Sequence, residues 1–444
     1  MAVTADAADR DVAIVGGGIL GTSVAFWLAA RYDGRIAVIE RERDVAMHAS
    51  RRNTGLVHRP FYLHPQKARL FARAAQVSYG LWKAYAAQKD LPWREVGTYK
   101  VAAKDKEVAL LPTYAKWAVE NGMRPSEVEL LDGKEVRRRE PNLTCAGALL
   151  VKTDTSVDYA AFTRALREDA EALGARFLTT ARVKAIRADG GGVTLSFDPP
   201  VPDLRARYVI NCAGGESLDL AHKMGVGLEY ADLHFRGDYW RVDRSVANLV
   251  SRNVYTVPRQ PDLPFLDPHW IVRPDGTREI GPNAGPVPTP YSYTGTFEDV
   301  PDWVRKFFEP PIPNKLRLAF NRDFLTMAAR EALSSLSRAE MLARVQRFIP
   351  ALREEHLVAS GFAGIRSNAI NRQGAMVKEA IELPGPHSYH VVNYNSPGAT
   401  GSPAFAAYLV DRLAARGDLD HLTPNPKKAT LDWDAISRAM QFAA

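Results

Sequence analysis

Short apolar runs alternate with amphipathic stretches along most of the chain, a pattern typical of mixed α/β proteins. An apolar run at 11–15 leads into a helical pattern at 22–30, and a second apolar run follows at 35–40. This order predicts a β-α-β unit at the start of the fold. Later helical patterns are centred on 66–90, 106–121, 159–173 and 321–347.

The rest of the sequence contains patterns typical of strands and turns. Arg182 to Phe197 reads as a β-hairpin around a turn at 190–192, and 207–215 as a buried strand that ends in small residues. Prolines and aromatic residues become frequent between about 230 and 315, which favours short strands over helices. We therefore predict an α/β (α+β) fold, with a Rossmann-like domain interleaved with an antiparallel β-sheet domain.

The junction of the first strand and helix carries a G-x-G-x-x-G motif at Gly16, Gly18 and Gly21. Gly16 allows a sharp turn, Gly18 lets a pyrophosphate approach the backbone, and Gly21 lets helix and strand pack closely. Ile19 and Leu20 lie within the motif, just before the helix, whose N-terminus attracts phosphate. Glu40 ends the second apolar run about 20 residues later, where an acid binds a ribose. The spacing predicts a dinucleotide site.

Composition narrows the class of protein. Of 444 residues, 46% are hydrophobic and 25% charged, which excludes a disordered chain. The net charge of +7 suits an anionic substrate, an anionic cofactor or an anionic membrane surface, although a generic basic surface explains it equally well. Two cysteines exclude a disulfide scaffold and a cysteine-rich metal site. Without a signal core or a long apolar run, we expect a cytoplasmic protein and leave peripheral membrane association open.

Two further segments suit a ligand lying across strand ends. Ala213 and Gly214 lie at the end of the strand predicted at 207–215, although a tight turn alone explains small residues there. A second set of small residues follows a late strand, at a helix start where backbone N–H groups form an anion cradle. Its members are Asn395, Ser396, Pro397, Gly398, Ala399, Thr400 and Gly401.

Together these motifs resemble the D-amino-acid oxidase superfamily of flavoproteins over roughly residues 10–412. The loop 52–58, the strand end 211–214 and the segment 398–401 carry that likeness. Three stretches are similar to the L-2-hydroxyglutarate dehydrogenase/oxidase family: 235–240, then 264–269 with 281–284, and 361–366.

The resemblance implies FAD as the cofactor and no metal. Its FAD-binding domain is expected at 1–90, 145–225 and 345–444, and its substrate-binding domain at 91–144 and 226–344. Cofactor contacts are expected from the glycine motif with Ile19, Leu20 and Glu40, from the two small-residue segments, and from Arg41, Ser50, Arg51, Asn53, Thr54, Gly55 and Val183.

The resemblance also implies a substrate site with Arg366 on a carboxylate and His58 and His269 as catalytic residues. Arg binds carboxylates with a bidentate fork, and histidine is suited to accept a hydroxyl proton near neutral pH. We favour His269 as the base and His58 as a cofactor contact. Arg236, Tyr239 and Asn395 are expected beside the substrate.

The sequence departs from the hydroxyglutarate family at two places. Arg59-Pro60 follows His58, and Ser367-Asn368 follows Arg366, where the family has small residues and Ala-Gln. Both changes are expected to lie at the substrate, which puts a five-carbon diacid in question.

The leading prediction is therefore oxidation of a small anionic 2-hydroxy acid, with oxygen or a quinone as acceptor. Malate, glycerol 3-phosphate or an amino acid are alternative substrates. An RNA-modifying flavoprotein is a third hypothesis, but the basic residues are scattered and no nucleic-acid partner is expected. The sequence leaves the oligomeric state open.

Overall fold

A computed structural model describes residues 9–258, 267–295 and 299–441, except 323, 327, 329, 330 and 332–336. Two eight-stranded sheets and two three-stranded sheets carry most of the described strands. The described α-helices are Ile19–Arg31, Arg69–Lys89, Asp105–Val108, Leu111–Glu120, Gly133–Arg139, Tyr159–Ala172, Ser217–Lys223, Val300–Phe308, Ile312–Ala319, Arg338–Gln346, Gly398–Ala415 and Trp433–Met440.

The first sheet, here the parallel sheet, contains the predicted β-α-β unit. Asp9–Val15 pairs in parallel with Ile36–Ile39 on one side and with Leu204–Asn211 on the other, and helix Ile19–Arg31 connects the first two. The prediction of this unit is confirmed. Its strands are, in spatial order, Arg176–Leu178, Ile36–Ile39, Asp9–Val15, Leu204–Asn211, Gly192–Phe197 and Val183–Asp189, with Ser388–Val392 on Leu204–Asn211 and Ile381–Gly385 beyond it.

The second sheet, here the antiparallel sheet, contains one parallel pair, Asn253–Thr256 with Thr98–Ala102. Its order is Leu357–Ser360, Trp240–Val242, Arg278–Gly281, His269–Val272, Asn253–Thr256, Thr98–Ala102, Gly147–Val151 and Val128–Asp132.

Two strands of this sheet fall on the other side of the domain boundaries drawn from the sequence. Gly147–Val151 and Leu357–Ser360 were predicted in the FAD-binding domain, but both are hydrogen-bonded into the antiparallel sheet. The boundaries at 145 and 345 therefore do not follow the sheets at these strands, because apolar runs do not reveal which sheet a strand joins. We propose that the two-domain division follows the sheets.

Two smaller sheets bring distant segments to the same place. Ala231–Gly237 lies between Gly285–Val287 and Gly364–Ile370. The other has Leu56–Val57 and Trp93–Glu95 on either side of Thr155–Val157. A further pair joins Tyr32–Asp33 to Thr423–Pro424. As a result, segments distant in the chain meet between the two large sheets.

Helices cover one face of the parallel sheet and enclose its core. Trp27, Phe162 and Phe405 lie in one buried cluster with the sheet residues. Asp158 caps helix Tyr159–Ala172 by accepting a hydrogen bond from the Ala160 N–H at 2.9 Å, at the predicted start. This packing fixes the edge of the sheet from which the glycine motif projects.

The segment 230–315 differs from its prediction, because two helices follow its strands. Val300–Phe308 and Ile312–Ala319 begin near prolines, which are tolerated in the first turn. Helix Val300–Phe308 buries Lys306 and exposes apolar side chains, an inversion of the usual pattern. Within the region 321–347, where a helix was predicted, the structure describes helix Arg338–Gln346, and part of the rest of that region lies outside the described residues. Residues 264–266, which belong to a stretch similar to the hydroxyglutarate family, also lie outside them.

Within the described ranges, no helix is both long enough and apolar enough to cross a membrane.

Candidate active site

A cavity of about 360 Å³ lies where the strand ends of the parallel sheet face the antiparallel sheet and the small sheet that contains Ala231–Gly237. Most of the predicted site residues line it. They are Gly16, Gly18, Ile19, Leu20, Glu40, Arg41, Ser50, Asn53, Thr54, His58, Val183, Ala213, Gly214, Tyr239, His269, Arg366, Asn395, Ser396, Pro397, Ala399 and Thr400.

Three predicted glycines shape the cavity without lining it. A Cβ on Gly21 would collide with the Gly16 carbonyl oxygen, so Gly21 permits the close packing expected of it. Gly55 has φ +66°, and Gly398 packs against the Tyr394 ring. Their contribution is backbone geometry.

Two predicted arginines also lie outside the cavity lining. Arg51 is exposed. Arg236 directs its guanidinium to Asp238 at 2.9 Å and to the carbonyl oxygens of Ser292 and Gly295. Arg236 therefore fastens the segment after Gly285–Val287, and its predicted position beside the substrate does not match this arrangement.

The glycine motif forms the predicted turn. Gly16 has φ +105°, and a Cβ there would lie 2.5 Å from the Cys212 carbonyl oxygen. Helix Ile19–Arg31 has no side-chain cap at Gly18, and the Ile19 N–H donates to Ser50 Oγ at 2.9 Å. This helix N-terminus opens on the cavity, where backbone dipoles favour phosphate.

Glu40 lies at the ribose position and is nearly fully buried. Its two carboxylate oxygens accept hydrogen bonds from the Gly17 N–H at 2.7 Å and the Glu42 N–H at 2.8 Å. Burial raises the pKa of Glu40, while these backbone donors act in the opposite direction. Each oxygen keeps a second lone pair, which is what a ribose hydroxyl requires.

Two tyrosines that the sequence did not single out close this end of the cavity. The Arg41 guanidinium lies over the Tyr291 ring at 3.7 Å, and Arg52 lies over the Tyr293 ring at 4.1 Å. His48 Nδ1 is 2.9 Å from the Tyr293 hydroxyl. We call Tyr291 and Tyr293 the aromatic clasp, because they hold the segment after Gly285–Val287 against the loop 41–52.

His269 lies at the opposite end, in a strand of the antiparallel sheet, and is almost completely buried. Its ring stacks on Tyr255 at 3.8 Å. Neither ring nitrogen has a hydrogen-bond partner among the described residues. Burial, followed by the positive charges of Lys100 and other cations, holds the pKa of His269 well below its usual range. The imidazole is therefore neutral at pH 7.

His58 also lines this end and has a carboxylate beside it. Its Nδ1 is 3.5 Å from Asp154 Oδ2, and its backbone N–H donates to Thr400 Oγ1 at 3.0 Å. The Tyr62 and Tyr255 rings meet its edge at 5.9 and 5.8 Å. Sequence reasoning missed Asp154, because its approach to His58 depends on pairing between strands about 100 residues apart.

Arg366 lies on strand Gly364–Ile370, opposite Phe235. Burial lowers the pKa of Arg366 but leaves the guanidinium charged at neutral pH. Tyr239 is close enough to interact with this charge, and burial raises its pKa to about 12. Asn395 donates its amide to the Ser367 carbonyl at 2.9 Å. A cation, a phenol and two histidines thus meet in one place.

The two departures from the hydroxyglutarate pattern do not both reach the cavity. The Arg59 guanidinium is buried against Glu127 at 3.2 Å and over the Tyr79 ring at 4.0 Å. Asn368 is buried away from the lining, and Ser367 alone lines the cavity. The expectation that both departures lie at the substrate does not match this arrangement, because Arg59 is engaged by Glu127 and Tyr79 and Asn368 does not line the cavity.

A family comparison decides the class of protein. The model of the FAD-dependent oxidoreductase family, DAO, matches residues 11–412. The chain belongs to this family. It is 30% identical over 427 residues to the mitochondrial L-2-hydroxyglutarate dehydrogenase of Nematostella vectensis, covering 91% of each chain. The L-2-hydroxyglutarate dehydrogenase of Salmonella houtenae is 28% identical and the mitochondrial human protein of that name 28%, with 93% and 91% of their lengths covered.

Solved structures share the fold. The dithionite-reduced L-α-glycerophosphate oxidase of Mycoplasma pneumoniae, with FAD bound, gives a TM-score of 0.72 at 19% identity, covering 96% of this chain and 98% of that one. Glycine oxidase from Geobacillus kaustophilus gives 0.67 at 20% identity, covering 97% and 98%. The predicted α/β fold is confirmed.

FAD is the cofactor of this FAD-dependent oxidoreductase, and the cavity suits it. The glycine turn and the helix N-terminus at Ile19 offer donors to a diphosphate, and Glu40 offers acceptors to a ribose. The seven predicted residues of the second cradle lie at the start of helix Gly398–Ala415, whose N-cap Pro397 also lacks a side-chain cap. A long dinucleotide therefore finds binding groups along the whole cavity.

Proposed function

We propose that this flavoenzyme oxidises a small anionic 2-hydroxy acid, similar to L-2-hydroxyglutarate, to the 2-oxo acid. Bound FAD supplies the two-electron acceptor that takes hydride from the substrate carbon. The observation that carries the proposal is the meeting of Arg366, His58 and His269 at one end of the cofactor cavity. Relatives bearing the L-2-hydroxyglutarate dehydrogenase name support the substrate class.

Arg366 is the proposed anchor for the substrate carboxylate. Its planar guanidinium donates two parallel hydrogen bonds to a carboxylate, and burial strengthens that attraction because water competes less. Tyr239 and Asn395 line the same region and are proposed to position the substrate. These contacts orient the hydroxyl-bearing carbon before reaction.

Each histidine has a different environment, which supports different roles. Proton removal creates an imidazolium, and a nearby carboxylate stabilises that charge. His58 has Asp154 within 3.5 Å, whereas Lys100 and Arg366 oppose a charge on His269. The sequence favoured His269 as the base, and that assignment stays untested. We propose the opposite: His58 accepts the hydroxyl proton, and neutral His269 hydrogen-bonds the substrate.

Anaerobic bleaching of the flavin tests the substrate class without assuming an acceptor. The panel contains L- and D-2-hydroxyglutarate, malate, lactate, glycerol 3-phosphate and amino acids. We expect L-2-hydroxy acids with a second anionic group to bleach the flavin fastest. Bleaching by glycerol 3-phosphate or an amino acid alone would overturn the proposal and favour the corresponding alternative.

The acceptor is proposed to be oxygen or a quinone, and the surface supports contact with a membrane. Val304, Phe307 and Phe308 form an exposed apolar stripe on helix Val300–Phe308, and Phe320 beyond the next helix is 82% exposed. Arg317 is exposed nearby. An exposed apolar stripe with neighbouring cations is typical of helices that bind anionic bilayers.

Vesicle co-sedimentation of the FAD-loaded enzyme tests this contact. We expect binding to phosphatidylglycerol vesicles, and weaker binding after Phe307→Ser with Phe308→Ser. Leu130→Ser changes an exposed leucine on a distant strand and should bind as the parent does. Equal binding by the parent, the double variant and Leu130→Ser would show that this apolar stripe does not bind the membrane. A mobility shift with bulk RNA instead would favour the nucleic-acid hypothesis.

A further inference from the structure

The small sheet at Leu56–Val57 places an acidic residue beside His58. Val57 pairs with Thr155 in antiparallel register, so the next positions outward are His58 and Asp154. Neighbours of this kind lie within side-chain reach. The contact between His58 and Asp154 therefore follows from backbone pairing.

The Asp154 carboxylate is completely buried and held by two donors. Its Oδ1 accepts from the Arg59 N–H at 2.7 Å, and its Oδ2 accepts from the Thr98 hydroxyl at 2.7 Å. A buried carboxylate is stable only with such partners. The two donors orient the carboxylate and leave Oδ2 with a second lone pair on the side of His58.

The His58 ring is held from its other sides as well. Its backbone is fixed by the hydrogen bond to Thr400 Oγ1, and the Tyr62 and Tyr255 rings meet it edge-on. Nδ1 faces Asp154 at 3.5 Å, so Nε2 lies at the opposite edge of the imidazole. Hydrogen bonds of catalytic groups are often this long before substrate binds.

We propose that Asp154 is a positioning residue for this reaction: it keeps the proton of neutral His58 on Nδ1 and leaves Nε2 to accept the substrate hydroxyl proton. The O–H bond of the substrate breaks and an N–H bond forms at Nε2, giving an imidazolium paired with the Asp154 carboxylate. This rests on the proposed function. An imidazole that carries its proton on Nε2 cannot accept the substrate proton there. Loss of the residue that keeps the proton on Nδ1 therefore lowers the rate of catalysis.

Asp154→Asn is the test, because it keeps the shape of the side chain and removes its charge. We expect the rate of flavin reduction at saturating substrate to fall at least 10²-fold, with FAD content unchanged. In a His58→Ala background the same substitution should lower the rate less than 3-fold, because its effect acts through His58. A full loss in both backgrounds would overturn the proposal.

Nitrogen-15 NMR of histidine-labelled holoenzyme gives a readout that needs no substrate. The resonances missing from His58→Ala identify His58, and we expect its proton on Nδ1 in the parent and a mixture or Nε2–H in Asp154→Asn. Glu127→Gln is the matched control, since Glu127 is buried beside Arg59 without contacting His58. Unchanged tautomers in Asp154→Asn would reject the proposal, whereas failure of every 2-hydroxy acid to bleach the parent flavin would reject only the proposed function.

Discussion

Replacing Lys100 by Met should stabilise the protein at neutral pH. Lys100 pairs in register with Tyr255 on adjacent strands and is nearly fully buried, with Asp267 as the opposing charge. Burial lowers its pKa to about 8. Relative to an ordinary value of 10.5, and at about 1.4 kcal/mol per pKa unit, this corresponds to about 3 kcal/mol by which protonation opposes folding.

The pH dependence follows from the direction of this change. Below pH 8 the lysine is charged in both the folded and unfolded chain, so the whole penalty is present. Between pH 8 and about 10.5 the folded chain loses its proton first, and the penalty disappears. We therefore expect Lys100→Met to raise the free energy of unfolding by up to about 3 kcal/mol at pH 7 and by little at pH 10.5.

Urea unfolding of the holoenzyme, followed by circular dichroism at several pH values, measures this difference. Lys83→Met is the control, because Lys83 is exposed and pairs with Glu95 at the surface, where ion pairs contribute little. A Lys100→Met protein that is less stable at pH 7, or a difference that does not shrink with rising pH, would refute the reasoning. Since Lys100 also opposes protonation of His269, the variant should let His269 take up a proton at higher pH.

Three further predictions concern the site. Arg366→Lys should weaken turnover by about 2 kcal/mol or more, because the bidentate fork is lost, and leave the flavin spectrum unchanged; unaltered kinetics would remove Arg366 from the site. His58→Ala should lower the flavin-reduction rate 10²- to 10⁴-fold in stopped flow, and His269→Ala should lower it less; the reverse order would restore the assignment favoured by the sequence. Tyr291→Leu with Tyr293→Leu should speed FAD dissociation, which is measured as rising flavin fluorescence. Equal dissociation rates in the parent and this variant would show that the aromatic clasp does not retain FAD.

The sequence predicted the cofactor half of the site better than the substrate half. Gly16, Gly18 and Glu40 act through local geometry, since a turn, a helix start and a strand end all lie within one β-α-β unit. Asp154 and the aromatic clasp depend on pairing between segments far apart in the chain, which no local pattern encodes. Arg59 follows His58 directly, but its guanidinium is held by Glu127 and the Tyr79 ring, partners distant in the chain that no local pattern reveals.

The late strand Ser388–Val392 has a consequence for how the enzyme is made. It hydrogen-bonds directly to Leu204–Asn211. The helix after it, Gly398–Ala415, begins beside His58, whose backbone N–H donates to Thr400 Oγ1. Domains form as a ribosome-bound chain emerges from its N-terminus. The wall around FAD therefore stays open until synthesis is almost complete, and a chain truncated before residue 388 should leave the ribosome without retaining flavin, however well its first β-α-β unit has folded.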